Sequence, residues 1–329
     1  LAALSTTIGT IIGAGILALP YAVSRSGFLN GLIIFLIVGI ASIMITLYTG
    51  ELSFRENKMH QLPVMIGKYL GIKFKLATLL LQILTIYGAL IAYLTALGAI
   101  FVVIFNIPYM LSVSIIFLLT LPLIFKGYDI IEQSETPLSI MKILLIIIVS
   151  VILLSSFNLN NLRTNHFSNL FSSFGVVLFA LTAYTVIPEV KQEIKNNAKK
   201  LTSVILVSYI ISISIYVLFT LAFIGEFGQN VAIIATNSVS SGWFMLLLLV
   251  TSIFLLVTPY LALGLVITDS FYYDFNIGRF KSLLIGVFVP FFVVLFDFGF
   301  ESVLSITGGI FISLLAIFIL MAVYISRKR

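Results

Sequence analysis

Residues 5–27 read S-T-T-I-G-T-I-I-G-A-G-I-L-A-L-P-Y-A-V-S-R-S-G, a stretch apolar and long enough to cross a bilayer, with Gly9, Gly13 and Gly15 in its first half and Pro20 in its second. A glycine weakens a helix interior by roughly 1 kcal/mol relative to alanine. A proline costs about 3 kcal/mol or more, because it removes a donor and its ring meets the preceding turn. Backbone freed from its helix inside hydrocarbon must find other partners, so a break is tolerated only where it faces protein or a wet cavity. The stretch therefore predicts an unwound segment over residues 12–15 that forms half of a binding site.

The rest of the composition says where such a segment lives. With 61% hydrophobic and 9% charged residues and a mean hydropathy of +1.22, there is too little polar surface to cover a soluble globule of 329 residues. The chain reads as an all-helical, multi-pass membrane protein. It has no cysteine, which excludes a disulfide framework and a thiolate metal site, and both histidines, His60 and His166, fall in expected loops. No metal or organic cofactor is expected. Because the first residue is Leu1, the register is expected to begin within a longer gene product. Residues 5–27 are too long for a signal peptide, and further spans follow them where a cleavage site would be.

A spanning helix needs about 20 apolar residues. The hydropathy pattern predicts ten, at approximately 6–24, 28–52, 74–105, 110–126, 137–156, 169–190, 200–225, 240–268, 280–297 and 303–326. Charge orients them. Arg55, Lys58, Lys68, Lys73, Lys75, Lys126, Lys142, Lys191, Lys195, Lys199, Lys200, Arg279, Lys281, Arg327, Lys328 and Arg329 fall on alternate loops, their helix ends or the C-terminus, whereas Arg25 and Arg163 fall on the other side. The excess of positive charge on inner loops makes the first set and both termini cytoplasmic, in the cell (plasma or inner) membrane. An even number of spans agrees with both ends on one side, and the basic pI of 9.4 needs no nucleic acid to explain it. Trp243 and Tyr109 sit at expected outer ends, where amphipathic rings belong.

The sixth span, F-G-V-V-L-F-A-L-T-A-Y-T-V-I-P-E-V over 174–190, is interrupted again, with Thr182, Ala183, Tyr184 and Thr185 ahead of Pro188. Setting residues 13–20 over 181–188 brings Pro20 and Pro188 into coincidence. Span one leaves the cytoplasm and span six enters it, so the chain reads as one transmembrane domain, 1–329, made of two halves of opposite topology, about 1–157 and 165–329. Inverted halves that each open with a broken helix point to a secondary transporter. The plainer account, that glycine and proline are commoner in membrane helices generally, explains one broken span better than a matched pair.

At this point the residues resemble a known group. G-T-I-I-G-A-G-I-L-A-L-P-Y-A (9–22) is similar to the opening motif of the amino acid/auxin permease and hydroxy/aromatic amino acid permease families. The 174–190 segment resembles their sixth helix, and V-T-P-Y-L-A-L-G-L-V-I-T-D (257–269) their eighth. T-G-E-L-S-F-R-E-N (49–57) and Y-G-A-L-I-A-Y-L (87–94) extend the likeness over nearly the whole chain. The resemblance implies a LeuT-like fold in the amino acid–polyamine–cation superfamily, importing an amino acid with a proton or a sodium ion. One departure concerns the sixth helix, which in the family commonly carries a glycine at its break, where this chain has Ala183 and Tyr184.

The chemistry of such a site follows from the backbone. Helix ends offer an amino acid zwitterion partly positive N–H groups for its carboxylate and partly negative carbonyls for its ammonium. The N–H groups of Gly13, Ala14 and Gly15, beside Thr10, can approach a carboxylate closely because little side chain intervenes. Carbonyls near Phe179 and Thr182 would take the ammonium, with Ala183 and Tyr184 at the second break and Tyr184 lining or gating the pocket. No Asp, Glu, Lys or Arg falls in the middle of spans one, three, six or eight, which favours neutral amino acids. Tyr87, about 13 residues into span three and so roughly 20 Å deep, is a candidate to donate to the carboxylate; packing is the competing role, and Tyr93 is the poorer candidate because it sits higher.

For the coupling ion, the resemblance maps a sodium site onto the carbonyls of Gly9 and Ile12 and the hydroxyl of Thr258. A hard cation wants several oxygens, and Pro259 supplies no hydroxyl, so this site is one ligand short. Proton-coupled relatives place a fifth-helix lysine ammonium there, for which Lys142 is the candidate. The competing account has Lys142, five residues from Pro137, snorkelling to the cytoplasmic interface. Glu51, Asp269 and Asp274 are expected as solvated helix ends or as gate partners of Arg55, Arg279 or Lys281, and Glu189, Lys191, Glu193 and Lys195 as an ordinary amphipathic surface. No obligatory protein partner is evident. A sensor or channel on the same fold stays open. An intramembrane enzyme would want a nucleophile and base or a metal constellation at depth, which the spans do not hold.

Overall fold

The computed structural model describes residues 2–56, 60–126, 129–163, 170–239, 241–274 and 278–328, and its regular elements among them are all helical. The chain opens with α1 (Ala2–Ile11) and α2 (Gly15–Ser26), which meet at 47°. There follow α3 (Phe28–Phe54), α4 (Leu62–Leu70), α5 (Ile72–Phe105), α6 (Tyr109–Lys126) and α7 (Asp129–Leu154). The second half runs through α8 (Leu170–Ala180), α9 (Ile187–Glu193), α10 (Ala198–Phe227), α11 (Gly242–Asp269), α12 (Arg279–Leu283), α13 (Val289–Val294), α14 (Phe300–Ile306) and α15 (Ser313–Lys328).

Seven of the described helical runs are long and apolar enough to cross a membrane, or eight if α1 and α2 form one crossing. In this count α8 to α9 and α14 to α15 are each one run. Tyr109–Phe125 is a shorter apolar helix, and a π-helical turn, Leu284–Phe288, separates α12 from α13. Length and composition thus support a multi-pass membrane protein and stop short of the expected ten spans. An apolar face suited to lipid runs along α3, where Leu29, Ile33, Leu36, Ile37, Ile40 and Met44 are exposed. The opposite face packs on α10. A helix apolar all round belongs in such a setting, because hydrocarbon replaces water on the outside.

The elements that frame the centre are pressed together where side chains are missing. α8 packs against α2, α14 and the π-helical turn Thr307–Ile312. A Cβ on Gly308 would run into the Gly175 carbonyl oxygen, and one on Gly175 into the Ser305 carbonyl oxygen. These crossings are backbone on backbone, which only small residues allow.

One end of the bundle is tied by charge, and of the two expectations for Glu51 and Asp269 the pairing with Arg55 and Arg279 is the one present, on side chains that stay partly exposed. Glu51 pairs with both Arg55, at 2.8 Å, and Arg327, at 2.5 Å, while Arg55 also donates to the Ser326 carbonyl at 2.7 Å. The last turn of α3 is thereby joined to the last turn of α15. Asp269 pairs with Arg279 at 3.2 Å. Lys191 is no plain surface residue either: its ammonium donates to the carbonyls of Ser53, at 2.7 Å, and Glu56, at 3.1 Å. The Ser53 carbonyl is in the last turn of α3 and also accepts from the Glu56 N–H, at 3.2 Å, and Glu56 follows the helix by two residues. Glu193 accepts from the Thr6 hydroxyl at 2.9 Å, which draws α9 against α1. His166 and Lys58 lie outside the described residues.

Candidate functional site

In a continuous helix each N–H reaches the carbonyl four residues back. Ile12 still does so, to Ile8 at 2.8 Å, but the Gly13 N–H turns to Ile11 at 3.0 Å and the Ile16 N–H to Gly13 at 3.3 Å. The carbonyls of Gly9 and Ile12 are thus released from the donors that an unbroken helix would supply. α2 then begins at Gly15 with no side-chain cap from Ala14; its Ile16 and Leu17 N–H groups are taken by the Gly13 and Ala14 carbonyls, at 3.3 and 3.0 Å, so Gly15 carries the leading N–H with no partner among the described hydrogen bonds. Gly15 is demanded by contact as well, since a Cβ there would stand 2.6 Å from the Ala180 Cβ and 2.8 Å from its Cα. The two interrupted regions therefore touch.

The second interruption follows Ala180. Leu181 and Thr182 close the end of α8 by donating to Val177, at 3.0 Å, and Phe179, at 3.2 Å, and the Thr182 hydroxyl donates to the Leu178 carbonyl at 2.8 Å. Ala183 has φ −138° and ψ 3°, and a tight turn, Tyr184–Val186, leads into α9. A negative φ is open to any L residue, so this backbone does not need the glycine that the resembled families place there. Pro188 falls in the first turn of α9, where its missing N–H would have had no helical partner.

Two tyrosines of α10, both fully buried, hold these ends. Tyr209 donates to the Leu181 carbonyl at 2.9 Å and shares a 2.8 Å hydrogen bond with the Thr46 hydroxyl. The Tyr216 hydroxyl faces two carbonyls, those of Ile11 and, at 3.1 Å, Ala180. Each is the last residue of a helix at an interruption.

Between these ends and α5, α7 and α11 lies a cavity of about 390 Å³. Of the residues expected at the site, Gly9, Thr10, Gly13, Gly15, Phe179, Thr182, Lys142 and Thr258 line it. Ile12, Ala14, Ala183 and Tyr184 do not: all four are buried behind the two breaks. Tyr87 does not reach the cavity either; its hydroxyl donates to the Ile285 carbonyl at 2.7 Å, in the turn between α12 and α13. The tyrosine at the cavity is Tyr93, whose hydroxyl stands 3.1 Å from where a Cβ on Gly13 would be. Six residues turn a helix by about 600°, so Tyr87 and Tyr93 face roughly 120° apart.

Lys142 is 6% exposed and lines the cavity. Ser139, one turn earlier on the same face, was not anticipated. It too is a lining residue, and its hydroxyl lies 2.6 Å from the Cβ that Gly9 lacks. Thr85, Ala89 and Tyr93 were missed as a set, although their spacing of four along α5 marks one face. Leu261, Ala262 and Val266 of α11 form much of the apolar wall. The Thr258 hydroxyl donates to Phe254 at 3.2 Å.

In overall shape the chain is similar to MhsT, solved in complex with L-phenylalanine, with a TM-score of 0.72 at 14% identity over 97% of this chain and 87% of that one. It is 23% identical to glutamine transporter 2 of Aliivibrio fischeri (strain ATCC 700601 / ES114), across 98% of this chain and 87% of the relative. The model of the tryptophan/tyrosine permease family matches residues 1–329. The cavity thus sits in a fold shared with a solved amino-acid-bound protein and in a sequence matched from end to end by a permease family. This chain is a transporter, not an enzyme, and it belongs to the tryptophan/tyrosine permease family.

Proposed function

We propose that the protein is a secondary active symporter of neutral amino acids, working by alternating access and coupled to protons through Lys142. Ten spans in two inverted halves, about 1–157 and 165–329, would place both termini in the cytoplasm of a cell carrying it in its plasma or inner membrane. The observation that carries the proposal is that Lys142, buried at 6% exposure, is the one charged side chain among the described residues lining a cavity between two broken helices.

The substrate follows from what the cavity offers. The Gly15 N–H at the start of α2 suits a carboxylate, and the carbonyls of Gly9 and Ile12, released at the first break, suit an ammonium. No carboxylate side chain lines the cavity among the described residues, so a cationic substrate side chain would lack a partner. The names of the family and of the glutamine-transporting relative both point to neutral side chains. Lys142 can load a proton when the cavity opens to one face and release it when the cavity opens to the other. That exchange couples the proton gradient to movement of the zwitterion.

Sodium is the second reading, supported by the released carbonyls of Gly9 and Ile12 and by Thr258 at the cavity wall. Against it, the Thr258 hydroxyl already donates to Phe254, and Pro259 adds no oxygen. Uptake of radiolabelled neutral amino acids into proteoliposomes, under an imposed pH or sodium gradient, separates the two. Uptake driven by the pH gradient, indifferent to sodium and lost in Lys142→Ala, is the expected result. Sodium dependence that survives the substitution would move the ion to Gly9, Ile12 and Thr258, and binding without uptake would make the protein a sensor.

A further inference from the structure

We infer that Tyr216 is a positioning residue for the amino acid site, its hydroxyl setting the distance between the two broken helices; this rests on the transport function proposed above. Tyr216 lies on α10, outside both broken helices and outside the cavity lining, and is fully buried. Its hydroxyl is within hydrogen-bond reach of the Ile11 and Ala180 carbonyls. These close α1 and α8, so a single oxygen spans the same structural point in the two halves of the chain.

The hydroxyl has one proton and faces two acceptors. It can donate fully to one carbonyl or share between both, and in either case the two are drawn to one centre. Nothing else among the described hydrogen bonds links those two carbonyls. The Ile11 oxygen has a second donor in the Gly13 N–H, at 3.0 Å, so the bridge reaches into the first break itself. Packing on the far side is equally tight, with Gly15 against Ala180. The two backbone ends that recognise a zwitterion are thus clamped from one side by a contact and from the other by a phenol. A shift of about 1 Å in such a pair is enough to cost a hundredfold in a positioned interaction.

Tyr209 does a different task. It engages the Leu181 carbonyl and Thr46, so it anchors the second break to α3 and does not cross to α1. Removing the Tyr216 hydroxyl therefore changes the separation of the breaks while the second break keeps its own anchor.

The test is transport kinetics of Tyr216→Phe in proteoliposomes, beside Tyr260→Phe as a control for loss of a fully buried phenol outside the cavity lining, with thermal unfolding of both in detergent. The expected result is a KM for the transported amino acid raised about tenfold or more in Tyr216→Phe, a smaller change in kcat, and an unchanged KM in Tyr260→Phe. An unchanged KM in Tyr216→Phe, with or without a lower Tm, overturns the inference and leaves the proposed function standing. A parent protein that neither binds nor carries any neutral amino acid overturns both. Should Tyr216→Phe fail to fold, 3,5-difluorotyrosine at position 216 keeps the ring and the hydroxyl and makes it a stronger donor. KM should then move at least twofold, and an unchanged KM again overturns the inference.

Discussion

Gly15 shows how one missing side chain serves both the fold and the site. Its Cα faces the backbone of Ala180, and backbone cannot swing aside as a flexible side chain can. Gly15→Ala should therefore destabilise the protein by about 1–3 kcal/mol, the range for overpacking a tight interior, read as a lower Tm in detergent. Gly278→Ala, where a Cβ would meet nothing within 4 Å, should leave Tm unchanged. The glycines of this first break were readable in the sequence because glycine in hydrocarbon needs a reason. Tyr93 and Ser139 were not, since their roles depend on which way α5 and α7 are turned, and one residue of register rotates a helix by about 100°. Tyr87 illustrates the same point: its depth was estimated from spacing alone, and depth says nothing about azimuth.

Helix ends are where this chain concentrates its polar contacts. The Ser53 carbonyl in the last turn of α3 and the Glu56 carbonyl just after it meet the Lys191 ammonium, and the Glu51 carboxylate of α3 meets two arginines. Lys191→Gln should lower stability by about 1–3 kcal/mol, the usual loss when a charged donor leaves buried acceptors, and thermal unfolding measures it directly. If the contact also holds α9 against α3 during the transport cycle, the same variant will alter kcat more than KM. The bend between α1 and α2 was legible because glycine carries its backbone preference wherever it stands, whereas Pro20 lies inside α2 and Pro188 in the first turn of α9, so neither proline marks the interruption beside it. The ties made by Arg327 and Lys191 were not, because a charge at a helix end looks the same in sequence whether it is solvated or paired across 138 or 276 residues. The splitting of residues 279–294 by a π-helical turn was likewise hidden: its apolar run carries no mark of where the ladder slips by one residue.

The whole molecule can be oriented by a labelling experiment, because the chain contains no cysteine and every introduced thiol reports without background. Trp243→Cys should react with a membrane-impermeant maleimide in intact cells, and Lys199→Cys only after the cells are opened. The reverse pattern would invert the proposed topology. Class, family and membrane setting were legible from composition and two motifs, whereas the number of crossings was not, since α6 is short and the α12–α13 run is divided. The seam of Gly175 and Gly308, where one backbone lies on another, has a consequence for how this protein can acquire new substrates over generations. Variation there is paid in folding before it can be tried in selectivity, so inherited change in diet must be written elsewhere, on the faces of α5 and α11 that carry Thr85, Ala89, Leu261 and Ala262.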